Sequence, residues 1–284
     1  MNDNTKWDSV ILPERGWFDI HLKDIFQYND LLWILVKRDI TTLYKQTILG
    51  PIWLVLQPLL STIVFTVIFS GIANISTDDL PPILFYMSGI IAWNYFASCL
   101  SNTSSTFISN AELFGKVYFP RIIVPFSKVV SGLTRFFVQL LLFLGFYFYY
   151  VMIGNKNIDP SIETFILLPL FVLQMAILGQ GFGMLIAGVT IKYRDLSYLV
   201  GFGTQLLMYA SPIVYPLSVV PDHYRYIIDN NPMTPVIEGF RYAFIGHGTI
   251  DLNSILQSIF VSIIVFLIGL ITFNKMEKDF IDKI

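Results

Sequence analysis

Charge is what this sequence has least of. Over 284 residues only 13% are Asp, Glu, Lys or Arg, against 55% hydrophobic residues, whereas a soluble domain carries about 25% charged residues. Too little polar material is present to coat a water-facing surface, which excludes a soluble globular chain and a disordered one alike. A net charge of −2 leaves no electrostatic footprint for nucleic acid. The single cysteine, Cys99, excludes an internal disulfide. Three histidines, His21, His223 and His247, lie far apart, and no His or Cys pair has the spacing of a metal site. The one Gly-Lys pair, Gly115-Lys116, lacks the upstream glycine of a phosphate-cradling loop and is followed by Val117, so no ATP site is legible. Repeated arginines at three-residue steps, as in a voltage sensor, are missing, and so are the acidic residues that ion-coupled carriers place inside their spans.

What is present is apolar length. Six uncharged runs of 20 residues or more cover 46–77, 80–111, 136–155, 164–191, 196–221 and 252–274. Each is long enough for a helix to cross a hydrocarbon core about 30 Å thick at about 1.5 Å per residue. The expected spans are 52–73, 83–100, 125–151, 165–189, 199–215 and 255–273. On the side shared by the two termini fall thirteen lysines and arginines, against Lys156, Arg225 and Arg241 opposite. The positive-inside rule therefore predicts both termini in the cytoplasm. Residues 1–50 are too charged for a signal peptide and read as a cytoplasmic segment, 51–274 as the membrane domain and 275–284 as a cytoplasmic tail.

Between the runs the pattern changes character. Over 19–47, apolar residues recur at three- and four-residue steps, with Lys37, Arg38 and Lys45 between them and Trp33 and Tyr44 alongside. This predicts an amphipathic helix in the cytoplasmic interface, ended by Gly50-Pro51. A short amphipathic stretch, 111–121, sits on the cytoplasmic side after the second span and is a candidate partner contact. Residues 216–248 are external and half apolar, with Val236, Ile237, Phe240 and Phe244 at helical spacing in pieces too short to span, which suits re-entrant helices. The fold class is thus an all-α membrane protein of six transmembrane helices, with an N-terminal interface helix and short re-entrant helices before the last span.

Within the spans, Lys128, Ser131, Arg135 and Gln139 form one polar stripe up the third helix. An arginine at membrane depth costs about 2.5–3.5 kcal/mol to insert, so Arg135 should face protein or water. The stripe either lines a cavity that meets an anionic substrate group, or serves an internal salt bridge or snorkelling to the cytoplasmic edge. Gly179, Gly183 and Ala187 form a small-residue ridge suited to close helix packing. Aromatics are many, 16% of the chain, and Phe143, Phe146, Tyr147, Phe148, Tyr149 and Tyr150 crowd the outer end of the third span. They read as an interfacial belt, or in part, through Phe146 and Tyr149, as stacking surfaces along a glycan path.

Several ordered segments carry a family resemblance. They are Lys37-Arg38-Asp39-Ile40, Tyr44 to Trp53, Gln57-Pro58, Lys116-Val117-Tyr118-Phe119-Pro120-Arg121, Lys192-Tyr193-Arg194-Asp195, Ser211-Pro212, Asn231-Pro232-Met233, Glu238 and Phe240-Arg241. In this order and placement the chain resembles the permease subunit of ABC-2 type polysaccharide exporters, which move O-antigen, teichoic acid and capsule chains. The resemblance implies an inner-membrane, multi-pass homodimer joined to two ABC ATPase subunits, with ATP and magnesium on those partners and no cofactor on this chain. It implies membrane lipid and an undecaprenyl-pyrophosphate-linked polysaccharide as the other partners. By analogy, Glu112, Leu113, Lys116, Tyr118, Phe119 and Arg121 would dock on the ATPase. Trp33, Lys37, Arg38 and Tyr44 would border substrate entry, and Pro232, Glu238 and Arg241 would belong to the re-entrant region. The chain departs from the family pattern at Arg135, where relatives often place an acidic residue, so its role rests on the residue reading. The alternatives are an ABC-2 exporter of teichoic acid, capsule or a small lipid or drug, and a membrane enzyme acting on lipid-linked glycans. For the enzyme, Asp222, His223, Arg225 and Glu238 are the external candidates, with no catalytic motif around them.

Overall fold

The computed structural model describes residues 27–45, 50, 52–117, 119–154, 158, 166–193, 195–246 and 251–281. Among these residues the regular structure is all helical, without strands. The interface helix is α1, Asn29–Lys45, and the first span is α2, Ile52–Phe65, continued as a π-helix over Thr66–Ile72. α3, Pro82–Ser104, is followed by two short helices, α4, Thr106–Ser109, and α5, Ala111–Lys116. Then come α6, Ile123–Met152, α7, Leu168–Lys192, α8, Leu196–Tyr209, α9, Asp222–Asp229, α10, Thr234–Ile245, and α11, Leu252–Ile281.

Five helices are long and apolar enough to cross a membrane: α2 with its π-helical continuation, α3, α6, α7 and α11. The run expected to form the fifth span departs from this pattern. α8 has 14 residues, about 21 Å of helix, and ends at Tyr209 rather than continuing to Tyr215. Pro212 lacks an N–H and crowds the preceding turn, so the helix stops and Ala210 to Pro216 continue as turns and extended chain. Ser211, Ile213 and Val214 are buried in protein there, the condition under which irregular backbone is tolerated at membrane depth.

α3 and α7 form the centre, with α6, α2 and α10 also against α3, and α11 against α7. The small-residue ridge explains the closeness of the central pair. A β-carbon on Gly183 would lie 2.8 Å from the Leu100 carbonyl oxygen, and one on Gly179 would lie 2.8 Å from the Phe96 carbonyl oxygen. On the other side of α7, Gly181 backs onto Phe266 of α11, where a β-carbon would meet backbone at 2.8 Å. Small residues here allow the van der Waals contact that holds helices together in lipid.

Two apolar clusters follow the axis of the bundle. One joins α3, α6, α7 and α10. The other, at the α1 end, packs Leu32, Leu35 and Val36 of α1 against Phe107, Phe114 and Phe119 and against Phe273 of α11. At the opposite end α10 is buried along nearly its whole length. Pro235 lies in its first turn, and Gly246 ends it in the left-handed conformation, φ 79°, donating its N–H to the Tyr242 carbonyl. Asp251 then caps α11 by accepting from the Asn253 and Ser254 N–H groups and the Ser254 hydroxyl. The Ser254 hydroxyl first, and then the backbone donors, hold its carboxyl below the usual carboxylate range.

Candidate functional site: a polar cavity beside the interface helix

The polar stripe on α6 faces a second polar stripe that the sequence reading missed. On α3, Asn94, Ser98 and Asn102 recur at four-residue steps and share one helix face. Asn102 donates to Ser98 Oγ at 3.0 Å, and Asn94 donates to Gln139 Oε1 at 3.4 Å. The four-residue period was legible; against so apolar a background, three uncharged polar residues carried no obvious charge signal.

Below the Asn94–Gln139 contact the two helices form one wall of a cavity of about 950 Å³. α6 contributes Lys128, Ser131, Gly132 and Arg135, and α3 contributes Ser98 and Asn102. α1 adds Asp39, Thr42 and Leu43, while Gly50 and the start of α2, with Trp53, Leu54 and Gln57, complete the wall. Three members of the predicted stripe therefore line the cavity, and the fourth, Gln139, is buried above it. Phe146 is half-buried against the apolar core and Tyr149 is 60% exposed; neither reaches this cavity.

Charge within the cavity is uneven. Lys128 Nζ lies 2.8 Å from Asp39 Oδ2 in a part-buried ion pair. The other oxygen of Asp39 accepts from Arg38 Nη2 at 3.0 Å. Arg135 is exposed and has no ion pair among the described residues. Neither a salt bridge nor burial accounts for it, whereas a place in the wall of a polar cavity does. The other cations of α1, Lys37 and Lys45, are exposed on the face away from the cavity, beside Trp33 and Ile34, which are more than half exposed. The side chain of Tyr44 lies outside the described residues.

The short segment between α3 and α6 divides by burial. Glu112 and Lys116 point outward, their side chains 94% and 76% exposed and 3.8 Å apart. Val117 is exposed with them, and Leu113 is half-buried. Phe114, Phe119 and Arg121 face inward instead. Arg121 donates from Nη1 to the Glu277 carbonyl at 3.0 Å and sits 5.2 Å from the Phe114 ring centre, tying the segment to the end of α11. Phe119 and Arg121 thus hold the segment in place and are not part of its outer surface. Tyr118 lies outside the described residues.

Two charged residues of the re-entrant region, both on α10, are internal. Arg241 is 1% and Glu238 4% exposed. Arg241 donates to Glu238 Oε1 at 2.9 Å and to the Ile213 carbonyl at 3.0 Å, and lies 3.7 Å from the centre of the Phe85 ring. The carbonyl left without a helical partner where α8 breaks is satisfied by this arginine. Pro232 offers its carbonyl to the Ser258 hydroxyl of α11. Of the outer aromatics on α6, Phe143 and Tyr147 are buried against Phe244 of α10, while Phe148 and Tyr149 are exposed. The cluster is therefore divided between an anchor for the re-entrant helix and outward-facing rings.

A 251-residue alignment, 88% of this chain and 93% of its relative, is 30% identical to the O-antigen export system permease protein RfbA of Klebsiella pneumoniae. The protein of the same name from Myxococcus xanthus is 24% identical over 93% of this chain and 98% of its own length. The polysialic acid transport protein KpsM of Escherichia coli is 24% identical over 86% of this chain and 92% of its own. The family described as ABC-2 type transporter matches residues 30–245, the stretch that contains α1, the polar cavity, the α4–α5 segment and the re-entrant helices, and this chain belongs to that family.

Proposed function

We propose that this chain is the membrane permease of an ATP-driven exporter that moves a lipid-linked polysaccharide of the O-antigen type across the cytoplasmic membrane. The export functions of its relatives supply the substrate class, and the cavity between α1, α2, α3 and α6 supplies a place for it. Its wall combines a guanidinium with no ion pair among the described residues, hydroxyl and carboxamide groups and the Trp53 ring. An anionic headgroup such as a pyrophosphate is met by Arg135. The first sugars find hydrogen-bond partners in Ser98, Asn102 and Gln57 and an apolar face in Trp53.

The thirteen-to-three partition of basic residues supports cytoplasmic termini and six crossings, with α8 and the buried turn after it completing the fifth. On that topology the cavity opens toward the cytoplasmic leaflet, where a lipid-linked precursor would enter beside the amphipathic α1. ATP is hydrolysed by a separate ABC ATPase, two copies working with two copies of this chain. Glu112, Lys116 and Val117 offer the ATPase an exposed surface, while Phe114, Phe119 and Arg121 carry its displacement into α11 and the bundle. The chain itself makes and breaks no covalent bond.

The observation that carries the reading is Arg135: exposed in a cavity wall, without a counter-ion among the described residues, within a family of export permeases. In a deletion strain, the wild-type gene should restore surface polysaccharide. Arg135→Gln, present in the membrane in equal amount, should not. Unchanged surface glycan in the deletion strain would overturn the export reading.

A further inference from the structure

The outer part of the first span is wound differently from the rest of the bundle. Over Thr66–Ile72 the helix is π, and it closes with the Ala73 N–H donating to the Ile68 carbonyl, five residues back, at 2.8 Å. A π-turn holds one residue more than an α-turn, and such turns cluster at functional sites. None of the seven residues is buried; Phe69 rests against Phe65 and Tyr86, and Val67, Ile68 and Ile72 are exposed. The Thr66 hydroxyl is enclosed without a hydrogen-bond partner among the described residues, whereas Thr42, Thr62, Thr204 and Thr272 each donate to the carbonyl four residues back. Directly beyond, the loop to α3 takes three residues into the left-handed region, Asn74 at φ 52°, Asp78 at 52° and Asp79 at 61°. Such a conformation persists where its surroundings hold it. Here the Ser218 hydroxyl donates to Asp78 Oδ1 at 2.7 Å. Ser218 lies in the turn Leu217–Val219 between α8 and α9. The Asp78 carboxylate also acts on buried Arg241, which ties α10 to the Ile213 carbonyl.

We propose that the outer part of the first span is a two-register switch: π-wound and latched to the re-entrant region through Asp78 and Ser218, or α-wound and released. The α register is within reach because no buried side chain of the segment has to leave the core. Rewinding also offers the Thr66 hydroxyl the carbonyl of residue 62, the bond its counterparts elsewhere make. What opposes it is the latch. Passing one residue out of the wide turn advances everything beyond it by one helical step, about 100° of rotation and about 1.5 Å of rise. That step carries Asp78 off Ser218 and its carboxylate away from Arg241. The winding of the first span thereby governs how firmly the broken end of α8 and the re-entrant α10 are held. The switch goes beyond the export reading and draws on it only for what an export assay reports.

The first arm of the test is thermal melting of the full-length chain, read without reference to any cargo. Deleting Ile68 removes the extra residue and leaves a continuous α-helix, with Phe69 three residues after Phe65 and still on the same face. This protein should melt close to the wild type. Deleting Leu60, exposed in the α-helical part of the same span, shifts the buried Thr62 and Phe65 off the core and should lower the melting temperature. An Ile68 deletion that melts as low as the Leu60 deletion overturns the switch. The second arm is new surface polysaccharide in the deletion strain, which the Ile68 deletion, confined to one register, should fail to restore; normal export overturns the switch. The third pairs Asp78→Cys with Ser218→Cys and bridges them with a short, reducible bifunctional thiol reagent, Cys99 being buried. Bridging should stop export and reduction should restore it, while each single variant treated alike continues to export. Undiminished export by the bridged protein, or failure of the pair to bridge, overturns the latch. If the wild-type gene restores no glycan, the export reading falls, and the melting comparison still decides the register.

Discussion

Two arginines lie within apolar sequence in this chain, and their surroundings separate them. Arg241 is 1% exposed and held by Glu238, the Ile213 carbonyl and the Phe85 ring; Arg135 is exposed in a cavity wall. Removing one partner of a buried ion pair strands the other, which costs about 3–5 kcal/mol. Glu238→Ala is therefore expected to destabilise by that amount, read as a fall in chemical denaturation midpoint of the purified protein. Arg135→Gln should shift stability by less than about 0.5 kcal/mol, and its loss should appear in transport alone. An Arg135→Gln protein that unfolds as readily as Glu238→Ala would assign Arg135 a structural role. The sequence showed the Arg135 stripe because its members share one helix and one period. It could not show Asp39 as the partner of Lys128, since that contact joins residues 89 apart through packing. Glu238 and Arg241 sat at a readable three-residue spacing, but nothing local distinguished an internal strut from an external charged pair.

At the scale of helices, the close approach of α3 and α7 makes a prediction with its own control. Gly179 and Gly183 have no room for a side chain, whereas Gly201 and Gly203 on α8 have nothing within 4 Å of an added β-carbon. Gly183→Leu must push the central helices apart, and overpacking of this kind costs about 1–3 kcal/mol or more. Gly201→Ala and Gly203→Ala should be neutral or stabilising by up to about 1 kcal/mol, since alanine is the better helix former. Thermal melting of the three variants in one detergent orders them; a Gly183→Leu protein as stable as the alanine pair would refute the packing account. The α4–α5 segment divides in the same way. A Glu112→Lys, Lys116→Glu double reversal should leave melting unchanged and uncouple ATP hydrolysis from export, whereas Phe114→Ala removes an internal anchor and should lower the melting temperature, as large-to-small core changes cost about 3–5 kcal/mol. The ridge and the segment were visible in the sequence as small-residue spacing and amphipathicity. The inward turn of Phe119 and Arg121 was not, because the apolar surface they cover is built from α7 and α11, far along the chain. The end of α8 at Tyr209 was foreshadowed by Pro212 but obscured by an unbroken apolar run, since hydropathy counts residues whether or not they are helical.

For the molecule as a whole, the open question is which end faces which side of the membrane, and the chain carries a convenient background for asking it. Its only cysteine, Cys99, is 1% exposed at the α3–α7 contact, out of reach of a water-borne reagent. The wild type should therefore stay dark to a membrane-impermeant maleimide. Glu112 at the α1 end and Tyr226 at the α9 end are both well exposed, and the bundle separates them along its length. On the proposed topology, which the excess of basic residues on the α1 side predicts, Glu112 lies in the cytoplasm and Tyr226 outside. With the outer membrane made permeable and the cytoplasmic membrane intact, Tyr226→Cys should label and Glu112→Cys should not. After lysis both should label. The opposite pattern would invert the topology and move the mouth of the polar cavity to the outer leaflet. Entry of a precursor from the cytoplasmic side would then be excluded, because the cavity is bounded by α1 and the start of α2 whichever way the bundle is inserted. Labelling of neither position before lysis, with both labelled after it, would mean that the two ends share the cytoplasmic side, which five crossings and a re-entrant α8 would produce in place of six.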